Sequence, residues 1–166
     1  MLTFLLVYVV LSVGYKFYLD VSDGSKFYPD YVTHLVAKQT ENLLNTFGYD
    51  SHVLPHPDEP SMKLIVKGKY LARVIEGCNS ISVLILFVSF IVAFSGKLKT
   101  TFFYMLFGCV LIYIVNLLRI VFFAMALYHY PEYQDILHGT IFPAIIYGIM
   151  FLLWIFWVNR FSNLKT

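Results

Sequence analysis

Residues 102–127 read FFYMLFGCVLIYIVNLLRIVFFAMAL, and this run contains only two strongly polar side chains, Asn116 and Arg119. A helix needs roughly 20 mostly apolar residues to cross a bilayer. The run is therefore long enough to span a membrane with some tilt. It predicts a transmembrane helix that carries a polar pair inside the hydrocarbon region.

Three other apolar runs predict further crossings. The last of them ends in tryptophans and an arginine, a pattern typical of the membrane interface. By length the first could be a signal peptide, but it lacks a preceding basic region and a small-residue cleavage site. We expect it to be a retained anchor whose Lys16 snorkels to the interface. The runs cover residues 2–19, 81–94 and 141–158.

The composition agrees with a membrane protein. Of the 166 residues, 59% are hydrophobic and 13% are charged, whereas soluble domains carry about a quarter charged residues. There is no basic tract and no Gly-rich phosphate loop, so we expect neither a nucleic acid nor a nucleotide as partner. Two cysteines cannot build a disulfide framework.

A mixed segment, residues 20–77, separates the first two spans. Helical spacing of apolar residues predicts a helix over residues 32–47. Residues 62–75 are strand-like on both sides of Gly68, which suits a hairpin turn between two strands. The predicted fold is an all-α integral membrane protein of about four transmembrane helices, with a small mixed α/β extracytoplasmic segment between helices 1 and 2. Its parts are residues 1–19, 20–77, 78–160 (helices 2–4) and 161–166.

The placement of charge predicts the orientation. Loop 96–100 and the C-terminal tail carry lysine and arginine without any acid, while all 10 acidic residues lie in 20–76 or at Glu132 and Asp135. The positive-inside rule then places the loop and both termini in the cytoplasm. Segments 20–77 and 128–137 are expected outside. The basic residues that decide this are Lys97, Lys99, Arg160 and Lys165.

Cys78 lies in the sequence Glu-Gly-Cys-Asn-Ser, residues 76–80, at the predicted outer mouth of the second span. A free cysteine is usually a small buried hydrophobe. Here, however, a Gly-Cys-Asn-Ser start to a helix is expected to leave backbone N–H groups free near the sulfur. Those groups and the helix dipole would favour the thiolate.

Arg119 is costly inside a span, at about 2.5 kcal/mol or more. It lies eight residues below Leu127, or roughly 12 Å along the helix axis, so it should face the bundle or a water-filled cavity. A structural arginine paired to a carbonyl or an acid is the alternative. Asn116, three residues earlier, shares its helix face, and an interhelical hydrogen bond is the alternative to a role in a site.

His138 opens the fourth span, and Asp135 at i−3 could orient its ring. His129, at the end of the third span, is a rival base, and a solvated polar cap is the ordinary alternative for either. The outer histidines lack the nearby ligands that a zinc site needs, so we expect no metal. These histidines are His34, His52 and His56.

Cys78, Arg119 and His138 are all predicted to lie in the outer leaflet. A thiol, a base and a cation form a workable set for acyl transfer, in which the histidine moves the proton and the arginine stabilises the oxyanion. Cys109 is expected about 15 Å deeper, too far for a disulfide with Cys78.

The ordered motifs resemble the exosortase/archaeosortase family of multi-pass membrane cysteine transpeptidases. The motifs are the Glu76-Gly77-Cys78-Asn79-Ser80 start, Asn116-x-x-Arg119 in the next span and a histidine at the head of the last. The resemblance, over about residues 72–147, implies Cys78, Arg119 and His138 as the catalytic set. Supporting roles are expected for Asn116, Asp135, Glu76 and Asn79.

The resemblance also implies a biological role. The substrate would be an exported protein whose C-terminal sorting tail has a recognition motif, a transmembrane helix and a basic end. The site would face the extracytoplasmic side of the bacterial inner membrane and need no cofactor. The chain has fewer spans than many members, like the short exosortase F type. Its Cys78-Asn79-Ser80 departs from the commoner Cys-Ser-Gly.

Two other classes of function compete with the transpeptidase. A non-catalytic scaffold or assembly partner of an export system would need no reactive thiol. A four-span thiol oxidoreductase should carry paired outer cysteines, and only Cys78 is predicted on that side.

Overall fold

The computed structural model describes residues 2–22 and 28–162, so Lys165 and the end of the tail lie outside the described residues. Three short turns join the longer elements: 3₁₀ turns at Glu76–Cys78 and Pro131–Tyr133 and a π-helical segment at Leu137–Ile141. The helices and strands are α1 (Leu2–Ser22), α2 (Tyr31–Thr46), β1 (Ser51–Pro55), β2 (Met62–Val66), β3 (Lys69–Val74), α3 (Ile81–Ala93), α4 (Leu98–His129), α5 (Gln134–Ile136) and α6 (Phe142–Arg160).

Three helical stretches are long and apolar enough to cross a membrane. They are Leu2–Ser22, Leu98–His129 and Pro131–Arg160. The chain is therefore a multi-pass membrane protein. Helix α3, with 13 residues, is shorter than the roughly 20 that a full crossing needs, so a crossing at α3 remains a prediction.

The predicted hairpin is confirmed. Strands β2 and β3 pair antiparallel, and Lys67 (φ 48°) and Gly68 (φ 76°) form the left-handed turn between them. The predicted loop 96–100 is partly wrong, because α4 already begins at Leu98. There the Gly96 N–H donates to the Thr101 hydroxyl oxygen at 3.1 Å, which satisfies a backbone donor just before the helix.

One compact unit contains residues 18–79 and 116–143. In it, β1, β2 and β3 form an antiparallel sheet in chain order, and α2 packs against β1 and β2. Asp30 caps α2 by accepting hydrogen bonds from the Val32 and Thr33 N–H groups. Strand β1 was missed in the sequence because its five residues lie among prolines.

The other compact unit contains residues 1–17, 80–115 and 144–166. Its core joins residues of α3, α4 and α6, including Phe87, Ile112 and Trp157. The Trp157 indole N–H donates to the Phe94 carbonyl at 2.8 Å, and the Tyr104 hydroxyl donates to the Leu153 carbonyl at 2.8 Å. These bonds satisfy polar groups that would be costly in an apolar interior.

Gly108→Ala should destabilise this core. A Cβ at Gly108 would lie 2.2 Å from Cζ of Phe87, whose side chain is fully buried. Overpacking of this kind typically costs about 1–3 kcal/mol. Gly148 in α6 has open space where its Cβ would lie, so Gly148→Ala is the matched control. Thermal unfolding in detergent should show a lower Tm for Gly108→Ala alone, and equal Tm values for both variants would contradict the packing.

Candidate active site

Cys78 ends the 3₁₀ turn Glu76–Cys78 and is half-buried. Its backbone N–H donates to the Ile75 carbonyl at 2.8 Å, and the Asn79 N–H donates to the Glu76 carbonyl at 3.2 Å. The prediction that backbone N–H groups would be free near the sulfur is therefore wrong for Cys78 and Asn79, because the 3₁₀ turn uses both groups internally. Glu76 itself is exposed.

Asn79 follows the 3₁₀ turn Glu76–Cys78, here called the cysteine turn, and connects it to α2. Its side chain is buried, and its Nδ2 donates to Oγ1 of Thr33 at 3.1 Å. Thr33 is also buried, and its N–H is held by Asp30 at the start of α2. Sequence reasoning missed Thr33, since no local pattern connects it with a residue 46 positions later. The contact suggests that α2 fixes where the cysteine turn lies.

Asn116 contacts the cysteine turn from α4. The Nδ2 of this buried side chain donates to the Cys78 backbone carbonyl at 2.7 Å. Its Oδ1 is buried and, among the residues that the structure describes, has no hydrogen-bond partner. Asn116 therefore fixes the backbone of the candidate nucleophile.

Arg119 and Phe123 lie on the same face of α4 as Asn116, at i+3 and i+7. On a helix such positions lie one above another. The Arg119 side chain is half-buried. Within the described ranges, its guanidinium makes no hydrogen bond or ion pair. An apolar helix thus holds a cation for which the described residues supply no counter-ion.

His138 lies in the π-helical segment before α6 and is exposed. Its ring lies 5.6 Å from the Phe123 ring, centroid to centroid. The predicted orienting partner, Asp135, is also exposed. No hydrogen bond or ion pair joins it to His138 in the described part of the chain. The ring contact of His138 is instead with Phe123, a residue that the sequence analysis did not single out.

One face of α4 therefore links the two ends of the candidate site. Asn116 binds the Cys78 carbonyl and Phe123 contacts the His138 ring, and these two positions are about 10 Å apart along the axis. Arg119 lies between them. In the described residues no hydrogen bond joins the thiol, guanidinium and imidazole, and catalytic hydrogen bonds are often long in unliganded structures.

The rival histidine is already engaged. Nε2 of His129 lies 2.9 Å from the Tyr49 hydroxyl, and its ring packs edge-on against Tyr49 and Tyr128. A nitrogen in such a hydrogen bond is less available to a thiol. The contact favours His138 as the candidate base.

Other candidate groups lie apart from this face. Cys109 is a free, half-buried cysteine located ten residues before Arg119 on α4, about 15 Å along the axis. Among the described residues no group of three His, Cys, Asp or Glu side chains could hold a metal ion. His34, His52 and His56 instead contact the Tyr28 carbonyl, Asp50 and Glu59, respectively.

Asn116→Leu should slow the reaction of Cys78 while the protein still inserts. The change removes the donor to the Cys78 carbonyl, and a misplacement of about 1 Å can cost about 10²-fold in rate. We expect a loss of about 10- to 100-fold in the modification of Cys78 by a small thiol reagent or in client cleavage. Asn159→Leu, at an exposed asparagine of α6, is the control. Full activity of Asn116→Leu would refute a positioning role.

Comparison with known proteins places the chain in context. A family model described as transmembrane exosortase matches residues 1–159. Neither the curated proteins nor the solved structures that were searched contain a match.

Proposed function

Because the chain belongs to the transmembrane exosortase family, we propose that it is a membrane-embedded cysteine transpeptidase or protease that cleaves the C-terminal sorting tail of exported proteins. The observation that carries this proposal is the face of α4 that joins Cys78, through Asn116, to His138, through Phe123. Arg119 lies on that face between the two contacts.

The proposed chemistry is acyl transfer through a thioester. The Cys78 thiolate attacks a backbone carbonyl of the tail, after His138 has taken the thiol proton. When the C–N bond breaks, His138 returns the proton to the leaving amine. An acceptor nucleophile or water then gives a proton to His138 and attacks the thioester carbonyl. The C–S bond breaks, and the Cys78 thiolate takes the proton back from His138. Arg119 stabilises the negative oxygen that forms in both steps.

The state of Arg119 supports this role. An unpaired guanidinium in a spanning helix is costly, and the structure gives it no counter-ion in the described residues. A site that receives negative charge during each turnover accounts for such a cation.

We further propose four crossings, with α3 as the second, and both termini in the cytoplasm of a bacterium. The site then faces the extracytoplasmic side of the inner membrane. Both segments predicted to lie outside, 20–77 and 128–137, fall wholly in the unit formed by residues 18–79 and 116–143. This grouping supports a common location for them.

The proposed substrate is an exported protein whose tail has a recognition motif, a transmembrane helix and a basic end. The outer segment contributes by holding the cysteine turn, since Thr33 of α2 binds Asn79. Glu76 and Asp135, both exposed, are proposed as supporting polar groups at the mouth of the site.

Client cleavage with Arg119→Gln tests the proposal. Cells producing the chain and a tailed client should process the client, and Arg119→Gln should slow processing by about 10²- to 10³-fold, as loss of an oxyanion donor does. Arg160→Gln, at the exposed end of α6, is the matched control. Normal processing by a well-inserted Arg119→Gln would favour the non-catalytic scaffold instead.

A further inference from the structure

The β2–β3 turn carries two lysines that lie over tyrosine rings. The Nζ of Lys67 is 5.2 Å from the Tyr49 ring centroid and 5.3 Å from that of Tyr128. The Nζ of Lys69 is 5.5 Å from the Tyr128 centroid. The left-handed backbone of Lys67 and Gly68 fixes this turn. We call Tyr49, Lys67, Lys69 and Tyr128 the lysine–tyrosine patch.

The charge of the patch is open to an external anion. Both lysines are exposed, and in the described part of the chain neither forms an ion pair with a carboxylate. The nearby Asp50 accepts the Lys67 N–H through its backbone carbonyl, while its carboxylate faces His52 at 3.4 Å. Cation–π contacts orient an ammonium group but leave its charge uncompensated.

The patch also lies where a spanning helix ends. Tyr128 and His129 are the last residues of α4, one of the helices apolar enough to cross a membrane. Tyr130 and Tyr133 lie within the next four residues and are exposed. Amphipathic aromatic rings at the end of a span are typical of the headgroup region. Lysines at the end of such a span are within reach of lipid headgroups.

We propose that the lysine–tyrosine patch binds anionic phospholipid headgroups and docks the three-stranded sheet on the membrane surface. Exposed lysines near a bilayer attract anionic lipids, and tyrosine rings add amphipathic contact that a soluble anion would not use. The sheet packs against α2, and α2 holds the cysteine turn through Thr33 and Asn79. The docking is independent of the catalytic proposal and concerns only the sheet and the lipid.

Hydrogen exchange of the whole protein in nanodiscs tests this binding. In discs of phosphatidylcholine with phosphatidylglycerol, amides of residues 66–70 should exchange up to about 25-fold more slowly than in phosphatidylcholine alone, because each of the two lysines near an anionic surface provides about fivefold. Lys67→Gln combined with Lys69→Gln should abolish the difference. If the double variant is not recovered, Lys69→Gln alone should lower the difference between the two discs to about fivefold.

Lys63→Gln is the matched control, because Lys63 lies on the same sheet with its Nζ 5.8 Å from the Tyr70 ring centroid. It should retain the full lipid effect. Equal exchange of the native protein in both discs would overturn the proposal. The proposal would also be overturned if Lys63→Gln abolished the difference between the discs as fully as the double variant does. Inorganic phosphate that gives the same protection in phosphatidylcholine discs would also overturn it, in favour of a soluble-anion site.

Discussion

Cys78→Ala should lower client cleavage by at least about 10³-fold, since removal of a nucleophile leaves only the catalysis that binding and oxyanion contacts provide. The protein should still insert and fold, because the contact that fixes the turn uses the Cys78 carbonyl rather than its sulfur. The measurement is the rate at which the tailed client loses its C-terminal fragment, followed in membranes that contain equal amounts of each variant.

Cys109→Ala is the control for the thiol. Cys109 is also half-buried and free, but it lies about 15 Å along α4 from Arg119. This variant should process the client at the native rate. If Cys109→Ala were inactive while Cys78→Ala worked normally, the nucleophile would have to be sought in the other compact unit.

His138→Ala should lower cleavage by about 10²- to 10⁴-fold, the usual contribution of a general acid–base group. The thiol would lose its proton acceptor and the leaving amine its donor. His129→Ala should cost far less, because Nε2 of His129 is engaged by the Tyr49 hydroxyl. Cleavage rates of the two variants, measured side by side, identify the base. A larger loss in His129→Ala than in His138→Ala would reverse the assignment.

Phe123→Leu tests how the His138 ring is positioned. Phe123 makes the ring contact seen at His138, and leucine keeps an apolar side chain there without an aromatic face. If Phe123 positions the imidazole, the variant should show a reduced kcat with a nearly unchanged KM.

Much of the fold follows from local patterns. Apolar runs identified α1, α4 and α6, because the cost of placing polar groups in lipid leaves long uninterrupted stretches. Helical spacing identified α2 within one residue at each end. Gly68 identified the hairpin, since a left-handed turn position favours glycine.

The parts that were missed depend on contacts between distant segments. The 3₁₀ turn at Cys78 and the left-handed Ser80 (φ 66°) could not be predicted from Gly-Cys-Asn-Ser alone. Nor could the bond from Asn116 to a carbonyl 38 residues earlier. The sequence put Asn116 and Arg119 on one face, but which groups that face meets is decided by tertiary packing.

In the candidate site, too, local patterns predicted the residues, whereas tertiary packing decides their contacts. Cys78, Arg119 and His138 were proposed from their residue types, their order and their predicted depth. The structure adds two contacts of α4 that connect this set, through Asn116 and Phe123. Asp135 and Glu76 are both exposed, and among the described residues neither side chain makes such a contact.

The most direct test is to look for the thioester itself. The native protein is mixed with a tailed client, quenched in acid, digested and analysed by mass spectrometry. The account predicts an acyl fragment of the client on the peptide that contains Cys78, which hydroxylamine removes and which Cys78→Ala lacks. Cleavage of the client by a route that proceeds equally well with Cys78 blocked or replaced would contradict it.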